Sequence, residues 1–166
     1  MTLAEAGARA DELAQAGSER ELAQLRQSWD DEIEAAARDA DYRTRAAAYR
    51  AIGQFRYRQK LELLRRGLED ESPACRGSAL ISLELLSRDH PAVVNSERPR
   101  LHRMVASNDE NAAVRRLVIV CLRNGSPQQE TITLLNGLAG DDEQDAELRA
   151  AARRVADQLR KRAATR

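Results

Sequence analysis

Small and aliphatic residues recur along this chain at the 3.6-residue period of an α-helix, in four blocks that share one register. An arginine sets each register: Arg45, Arg76, Arg115 and Arg149, which are 31, 39 and 34 residues apart. Apolar or small residues follow three and seven positions later: Ala48, Ala79, Val118 and Ala152, then Ile52, Leu83, Leu122 and Ala156. Repetition at such a period predicts a stack of helix pairs.

Polar residues mark where each block begins. Four positions before the arginines stand Asp41, Ser72, Asn111 and Asp145. All four are residue types whose side-chain oxygen accepts a hydrogen bond from the free N–H groups of a helix start. Two positions further upstream the residue is always acidic: Asp39, Asp70, Asp109 and Glu143. The pattern predicts that each block is the second helix of a pair.

Shorter apolar stripes and capping signals predict the first helices. Capping boxes are predicted at Thr2 with Glu5, at Ser18 with Glu21, and over 126–129. We expect an N-terminal cap helix over 1–17 and helix pairs over 18–56, 57–88, 97–124 and 126–163, together a single domain over 1–166. The extra residues 89–96 are predicted to be a surface loop. No alternating apolar pattern occurs, so no sheet is expected.

Composition narrows the class of protein. The 166 residues are 42% hydrophobic and 33% charged with zero net charge, which is typical of a folded globular protein. Cys75 and Cys121 lie inside apolar helical runs, so they are predicted to be core residues and not a disulfide. No apolar run reaches the roughly 20 residues of a membrane span, and the first residues lack a secretory signal pattern. We therefore expect a cytoplasmic protein that does not bind membranes.

The run Asp70-Glu71-Ser72-Pro73-Ala74-Cys75-Arg76-Gly77-Ser78-Ala79-Leu80 resembles the turn and second helix of a HEAT repeat of the PBS-lyase type. The segments 109–122 and 143–156 resemble it less completely, and 39–52 least. The resemblance implies an all-α, right-handed α-solenoid of about four helix pairs, whose second helices line a concave face. It also implies that the repeat arginines are structural and join adjacent repeats with the repeat acids.

The resemblance indicates a binding surface, and the fifth position after each arginine indicates where. Ile81 and Val120 stand there in the middle repeats, and Arg50 and Arg154 in the outer ones. The predicted function is a scaffold or adaptor that binds a protein partner, acidic or a helical peptide, on the concave face. The predicted contacts are Arg43, Arg50, Ile81, Arg116, Val120, Arg123 and Arg154. Alternatively, Ile81 and Val120 touch neighbouring helices in a tight superhelix.

The segment 42–66 supports a second interpretation, because it contains eight basic residues and one acid, and aromatic residues lie between the basic ones. Guanidinium groups pair with phosphates and aromatic rings stack on bases, which is typical of nucleic-acid binding. The predicted contacts would be Arg43, Arg50, Arg56, Tyr57, Arg58 and Lys60. The competing interpretation makes Tyr49 and Phe55 core residues and the arginines a solvated face. Zero net charge favours that competing interpretation.

No pattern in the chain points to catalysis, a metal or a cofactor, so we predict a non-enzymatic protein. His90 and His102 lack the His-Glu pairs that HEAT-like di-iron hydroxylases use. HEAT-like DNA glycosylases, which need a tryptophan and acids on the concave face, are a third hypothesis through Trp29, Asp30 and Asp31. Against it, Trp29 fits the apolar stripe of its own helix.

Overall fold

A computed structural model describes residues 1–165 of the chain. In this range the protein has ten α-helices, one 3-10 turn and no β-strand, which confirms the all-α fold class. The helices are α1 (Leu3–Gln15), α2 (Glu19–Ala36), α3 (Tyr42–Gln54), α4 (Leu61–Leu68), α5 (Pro73–Ser87), α6 (Ala92–Asn95), α7 (Arg98–Ala106), α8 (Ala112–Arg123), α9 (Gln129–Gly140) and α10 (Ala146–Ala164); the 3-10 turn is Arg58–Lys60.

The chain divides into two compact units. Unit 1 is Met1–Leu86, and unit 2 begins at Ser87. Each is described below by itself. The single domain over 1–166 and the right-handed superhelix stay predictions.

In unit 1, α1 packs against both α2 and α3, and α2 packs against α3. Gly7 of α1 lies against the side chain of Gln54, and Asp11 of α1 forms an ion pair with Arg56 at 2.8 Å. The start of α1, at Leu3 and Ala4, lines one cavity with Arg43 and Ala47 near the start of α3, so the two helices run in the same direction. α1 therefore covers the side of α3 that the second helix of a preceding repeat would occupy.

In unit 2, helices of the same kind pack on one another. α7 packs against α9, and α8 packs against α10, while α7–α8 and α9–α10 form the two pairs. This is the packing expected of repeats whose apolar faces cannot be buried within one pair and are covered by the next.

The predicted apolar stripe is the core of the second helices. The residues three and seven positions after each repeat arginine are all buried, with at most 2% of their surface exposed. On α2 the outcome is mixed, since Leu22 and Ile33 are buried whereas Trp29 is only half-buried. The 3.6-residue pattern thus located the core, and it overestimated the burial of one large ring.

Side-chain caps hold several helix starts. Thr2 and Glu5 form the predicted capping box of α1, and Asp41, Asn111 and Asp145 accept backbone N–H groups of α3, α8 and α10. The other two predicted boxes are wrong. Ser18 makes no side-chain capping bond, and α9 begins at Gln129, after an extended Gln128.

The prediction of a surface loop over 89–96 is also wrong. This segment contains α6, whose Val93 and Val94 are buried. Asn95 follows them and ties the segment down, because its side-chain amide donates to Ser126 Oγ at 2.9 Å and its oxygen accepts the Ser126 N–H at 2.8 Å. Ser126 therefore anchors α6, and this explains why it does not cap α9.

Candidate protein-interaction surface

The first repeat arginine joins two repeats in unit 1. Arg45 Nε and Nη2 donate to the two carboxylate oxygens of Asp70, at 2.8 and 3.0 Å. Arg45 Nη1 also donates to the carbonyls of Asp39 and Ala40. The guanidinium group of Arg45 holds the pKa of the Asp70 carboxyl below its usual range. These contacts match the predicted structural role, in which a repeat arginine and a repeat aspartate join adjacent repeats.

The equivalent arginine of unit 2 bonds neutral groups. Arg115 Nε and Nη2 both donate to the carbonyl of Val105, at 3.0 and 2.8 Å, and Nη1 donates to Gln144 Oε1 at 3.0 Å. The repeat acid next to Gln144 in the sequence is Glu143. Its side chain is exposed, and Gln144 bonds Arg115. The last repeat arginine, Arg149, lies nearer the surface, where it forms an ion pair with Asp142 at 3.3 Å.

A close approach of α3 and α5 positions the candidate surface of unit 1. Ser82 Oγ accepts the N–H of Gly53 at 2.9 Å and donates to the carbonyl of Tyr49 at 2.5 Å, two groups that an α-helix would pair directly. A Cβ atom at Gly53 would lie 2.6 Å from the Cα of Ser82. Only glycine permits this approach. A glycine inside an apolar helical pattern is the sequence signal that could have revealed it.

Three predicted contact residues lie in unit 1. Arg43 and Arg50 are two turns apart on one face of α3. Arg43 is exposed and its guanidinium lies 5.5 Å from the ring centre of Tyr42, whereas Arg50 is half-buried. Ile81 is half-buried on α5. It adjoins Arg50, because the hydroxyl oxygen of the next residue, Ser82, lies 3.2 Å from the carbonyl oxygen of Arg50.

Arg50 differs from the paired arginines of unit 1 in lacking a partner for its guanidinium group. Its Nη1 is buried and has no hydrogen-bond partner within residues 1–165. Arg26, Arg45 and Arg56 each pair with a carboxylate, at 2.8 to 2.9 Å. A buried donor without an acceptor is uncommon in native proteins and destabilises the folded state.

The other four predicted contact residues lie in unit 2. Val120 is half-buried on α8, and Arg154 is exposed on α10 at the corresponding position of the next repeat. Arg116 forms an ion pair with Glu147 at 3.5 Å. Arg123 is exposed at the end of α8 and has interactions of its own. Unit 2 thus also combines an aliphatic side chain with cations on neighbouring second helices.

Acidic side chains of α2 bond several side chains of the basic segment 42–66. Lys60 Nζ bonds Asp30 at 2.8 Å and Glu34 at 2.5 Å, and the hydroxyl of Tyr57 donates to Asp30 at 2.5 Å. Burial opposes the charge of Lys60, but these two bonds outweigh it and raise the pKa of the amine. The bonds to Lys60 also hold the pKa values of Asp30 and Glu34 below their usual range. The sequence pattern did not reveal these acids as partners, because the whole of α3 separates them from Tyr57 and Lys60 along the chain.

Arg56 has a backbone role. It adopts a left-handed φ of 51°, the only non-glycine residue among 1–165 to do so. The N–H of Tyr57 returns to the carbonyl of Ile52, and that of Arg56 to the carbonyl of Gly53, which closes the end of α3 in a Schellman motif. Its side chain then reaches Asp11. Arg56 therefore ends α3 and ties it to α1.

A buried arginine in unit 2 was not predicted. Arg98 is 8% exposed, and its Nη2 donates to Asn95 Oδ1 at 2.7 Å and to the carbonyl of Ser126 at 3.2 Å. Burial lowers the pKa of Arg98. The group helps to hold α6, and no periodic pattern marks it because it lies at the start of α7, directly after the inserted residues 89–96.

The residues of the glycosylase hypothesis do not form one polar pocket. Asp30 and Asp31 line an open cavity of about 490 Å³ with Tyr57 and Arg26, but Trp29 does not line it. Within the described part of the chain, no three His, Cys, Asp or Glu side chains are grouped as a metal site would require. Nor does any helix of residues 1–165 combine the length and apolar character of a membrane span.

Stacked helix pairs with an arginine repeated at one position of the second helices define a helical-repeat protein. Residues 31–96, from the end of α2 through α6, match the family model for HEAT repeats. The match confirms the resemblance found in the sequence, and with the all-helical architecture it is consistent with an α-solenoid. HEAT repeats generally mediate protein–protein interaction, and the family is typically non-catalytic. A search of curated proteins found no significant match.

Proposed function

We propose that this chain is a non-enzymatic interaction module that binds a protein partner through exposed positions of its second helices. The contacts in unit 1 are Arg43, Arg50 and Ile81, and those in unit 2 are Arg116, Val120, Arg123 and Arg154. The unpartnered, half-buried guanidinium group of Arg50 beside Ile81 is the observation that carries the proposal. A cation next to an aliphatic side chain can combine apolar contact with charge pairing, as interface centres do.

The test is capture of partners from an extract of the source cells by the immobilised protein. Ile81→Glu and Val120→Glu should each remove a partner that the wild-type chain retains, because each places a charge in the proposed contact. Arg103→Glu is the matched control, since Arg103 is exposed on a first helix. Equal capture by all four proteins would show that these positions bind nothing and would remove the proposal.

Nucleic-acid binding stays the alternative prediction, and the contacts favour it less. Of its six predicted residues, Arg43 and Arg58 are exposed, whereas Arg56, Tyr57 and Lys60 bond carboxylates of α1 and α2. Phosphate contacts are strongest at low salt. If a labelled duplex and a labelled single strand both fail to bind at about 50 mM salt, the alternative is excluded.

A further inference from the structure

The strongest unexplained feature of unit 1 is the guanidinium group of Arg50. The side chain is half-buried, and its Nη1 is shielded from water without an acceptor among the described residues. No carboxylate in that part of the chain forms an ion pair with it. An isolated buried donor weakens folding, and a charged one does so more than a neutral one. Nε and Nη2 of Arg50 are not buried and have no hydrogen-bond partner among residues 1–165 either, so a carboxylate supplied by another molecule can reach them and balance the charge of the group.

The groups around Arg50 restrict what that molecule can be. Ile81 and Leu85 are one turn apart on α5, and both are half-buried. Arg43 continues the cationic side of the surface, two turns before Arg50 on α3, which corresponds to about 10.5 Å along the helix axis. The surface therefore presents a cationic ridge on α3 beside an aliphatic ridge on α5.

Hydrogen bonds and an ion pair hold α3 in place beneath this surface. Ser82 fastens α5 to α3 at Tyr49 and Gly53, next to Arg50. At the other end of α3, Arg45 pairs with Asp70. Because these bonds join α3 to α5, the partner needs acidic and aliphatic side chains whose spacing matches the two ridges.

We propose that this surface binds an acidic amphipathic helix, with one carboxylate on Arg50 and an aliphatic side chain on Ile81. A second carboxylate, two turns away on the partner helix, pairs with Arg43. The inference rests on the proposed protein-binding function and names the chemistry of the partner. Charge complementarity selects it, because a carboxylate balances the charge of the Arg50 guanidinium group, whereas a neutral amide makes only a weaker hydrogen bond and a basic helix repels it.

The test uses the full chain and a synthetic helical peptide with two glutamates seven residues apart and two leucines four residues apart on the adjoining face. A matched peptide carries glutamine in place of both glutamates. Titration is followed by NMR at the Nε–Hε groups of the arginines and by fluorescence anisotropy. We expect a saturable shift of the Arg50 signal with the glutamate peptide, and affinity about tenfold lower or worse for the glutamine peptide.

Arg50→Met retains the aliphatic stem and removes the charge. It should reduce affinity for the glutamate peptide about tenfold or more, whereas Arg58→Met, in the same basic segment, should leave it unchanged. Circular dichroism melting checks that both variants fold. Equal affinity of Arg50→Met and the wild type would overturn the inference. So would a single-stranded oligonucleotide that displaces the peptide from Arg50, since the surface would then recognise polyanions in general.

The capture experiment separates this inference from the function on which it rests. Loss of a partner with Ile81→Glu but not with Arg50→Met would leave the interaction module standing and refute carboxylate recognition. Capture that depends on neither residue, nor on Val120, would refute both. Loss with both variants, together with the peptide result, supports both.

Discussion

Two repeat arginines, Arg45 in unit 1 and Arg115 in unit 2, occupy the same repeat position and bond different chemical groups. In unit 1, Arg45 forms an ion pair with Asp70, whose side chain is 7% exposed. In unit 2, Arg115 is itself buried and bonds the carbonyl of Val105 and the side-chain amide of Gln144. One link is an ion pair, and the other is a set of charge-to-neutral hydrogen bonds. A recurring arginine therefore specifies that adjacent segments are joined, and the acceptor decides how the link responds to mutation and pH.

The contacts between consecutive second helices, which we call seams, also differ between the two units. α3 and α5 approach through Gly53 and the hydroxyl of Ser82, whereas the positions that correspond in α8 and α10 are Arg123 and Val155. The seam of unit 1 thus uses a glycine and a buried hydroxyl, and the residue at the Ser82 position in unit 2 is a buried valine. The contrast predicts which substitutions each unit tolerates.

The largest difference is expected when the arginine itself is removed. Arg45→Ala leaves the Asp70 carboxylate, whose side chain is 7% exposed, without its cation and should cost more stability than any other substitution in this comparison. Arg115→Ala leaves neutral acceptors and should cost about 1–3 kcal/mol. Denaturant unfolding, with hydrogen exchange to assign the change to one unit, measures both. Arg66→Ala, at an exposed site, should change stability by less than about 0.5 kcal/mol. Equal costs at Arg45 and Arg115 would contradict the comparison.

The seam of unit 1 is tested by adding one methyl group. Gly53→Ala places a Cβ 2.6 Å from the backbone of Ser82, so the helices must separate, at a cost of about 1–3 kcal/mol. Gly137→Ala is the control in unit 2, since a Cβ there meets nothing within 4 Å and should stabilise α9 by about 0.5–1 kcal/mol. Thermal melting compares the two. Stabilisation by both would show that the seam is not tight.

The ion pair of unit 1 should also make its stability depend on acid pH. Arg45 lowers the pKa of Asp70 in the folded protein below the ordinary value of 3.8. The stabilisation is therefore present above that ordinary value and is lost as pH falls through the lower folded value. Asp70→Asn should remove this part of the acid dependence. Hydrogen exchange in α3 and α8 over the acid range provides the measurement.

The smallest expected effect has the opposite sign. Arg50→Met removes a buried donor without an acceptor and keeps the aliphatic stem, so it should stabilise the free protein by about 0.5–1.5 kcal/mol. Arg26→Met, which removes bonds to the carbonyls of Phe55 and Arg56, should instead destabilise it. Thermal melting shows whether each substitution raises or lowers the stability of the folded protein. A loss of stability with Arg50→Met would mean that its guanidinium group already has an adequate environment.

Much of the architecture could be predicted from local pattern. The second helices, their caps at Asp41, Asn111 and Asp145, and their buried stripes follow from periodicity and side-chain oxygen chemistry within a few residues. The candidate contact positions were chosen in the same way. Half-exposure of Ile81 and Val120 accords with that choice, and their role in binding stays a prediction.

Contacts between distant parts of the chain could not be read from the pattern. Ser126 resembles a helix cap but bonds Asn95, 31 residues away, and Lys60 resembles a nucleic-acid contact but bonds Glu34, 26 residues away. The sequence by itself determined the helices, their repeat and their buried faces, because these depend on neighbours three or four positions apart. Only the tertiary structure decided which charges are paired and that Arg50 is not, because an ion pair depends on distance in space.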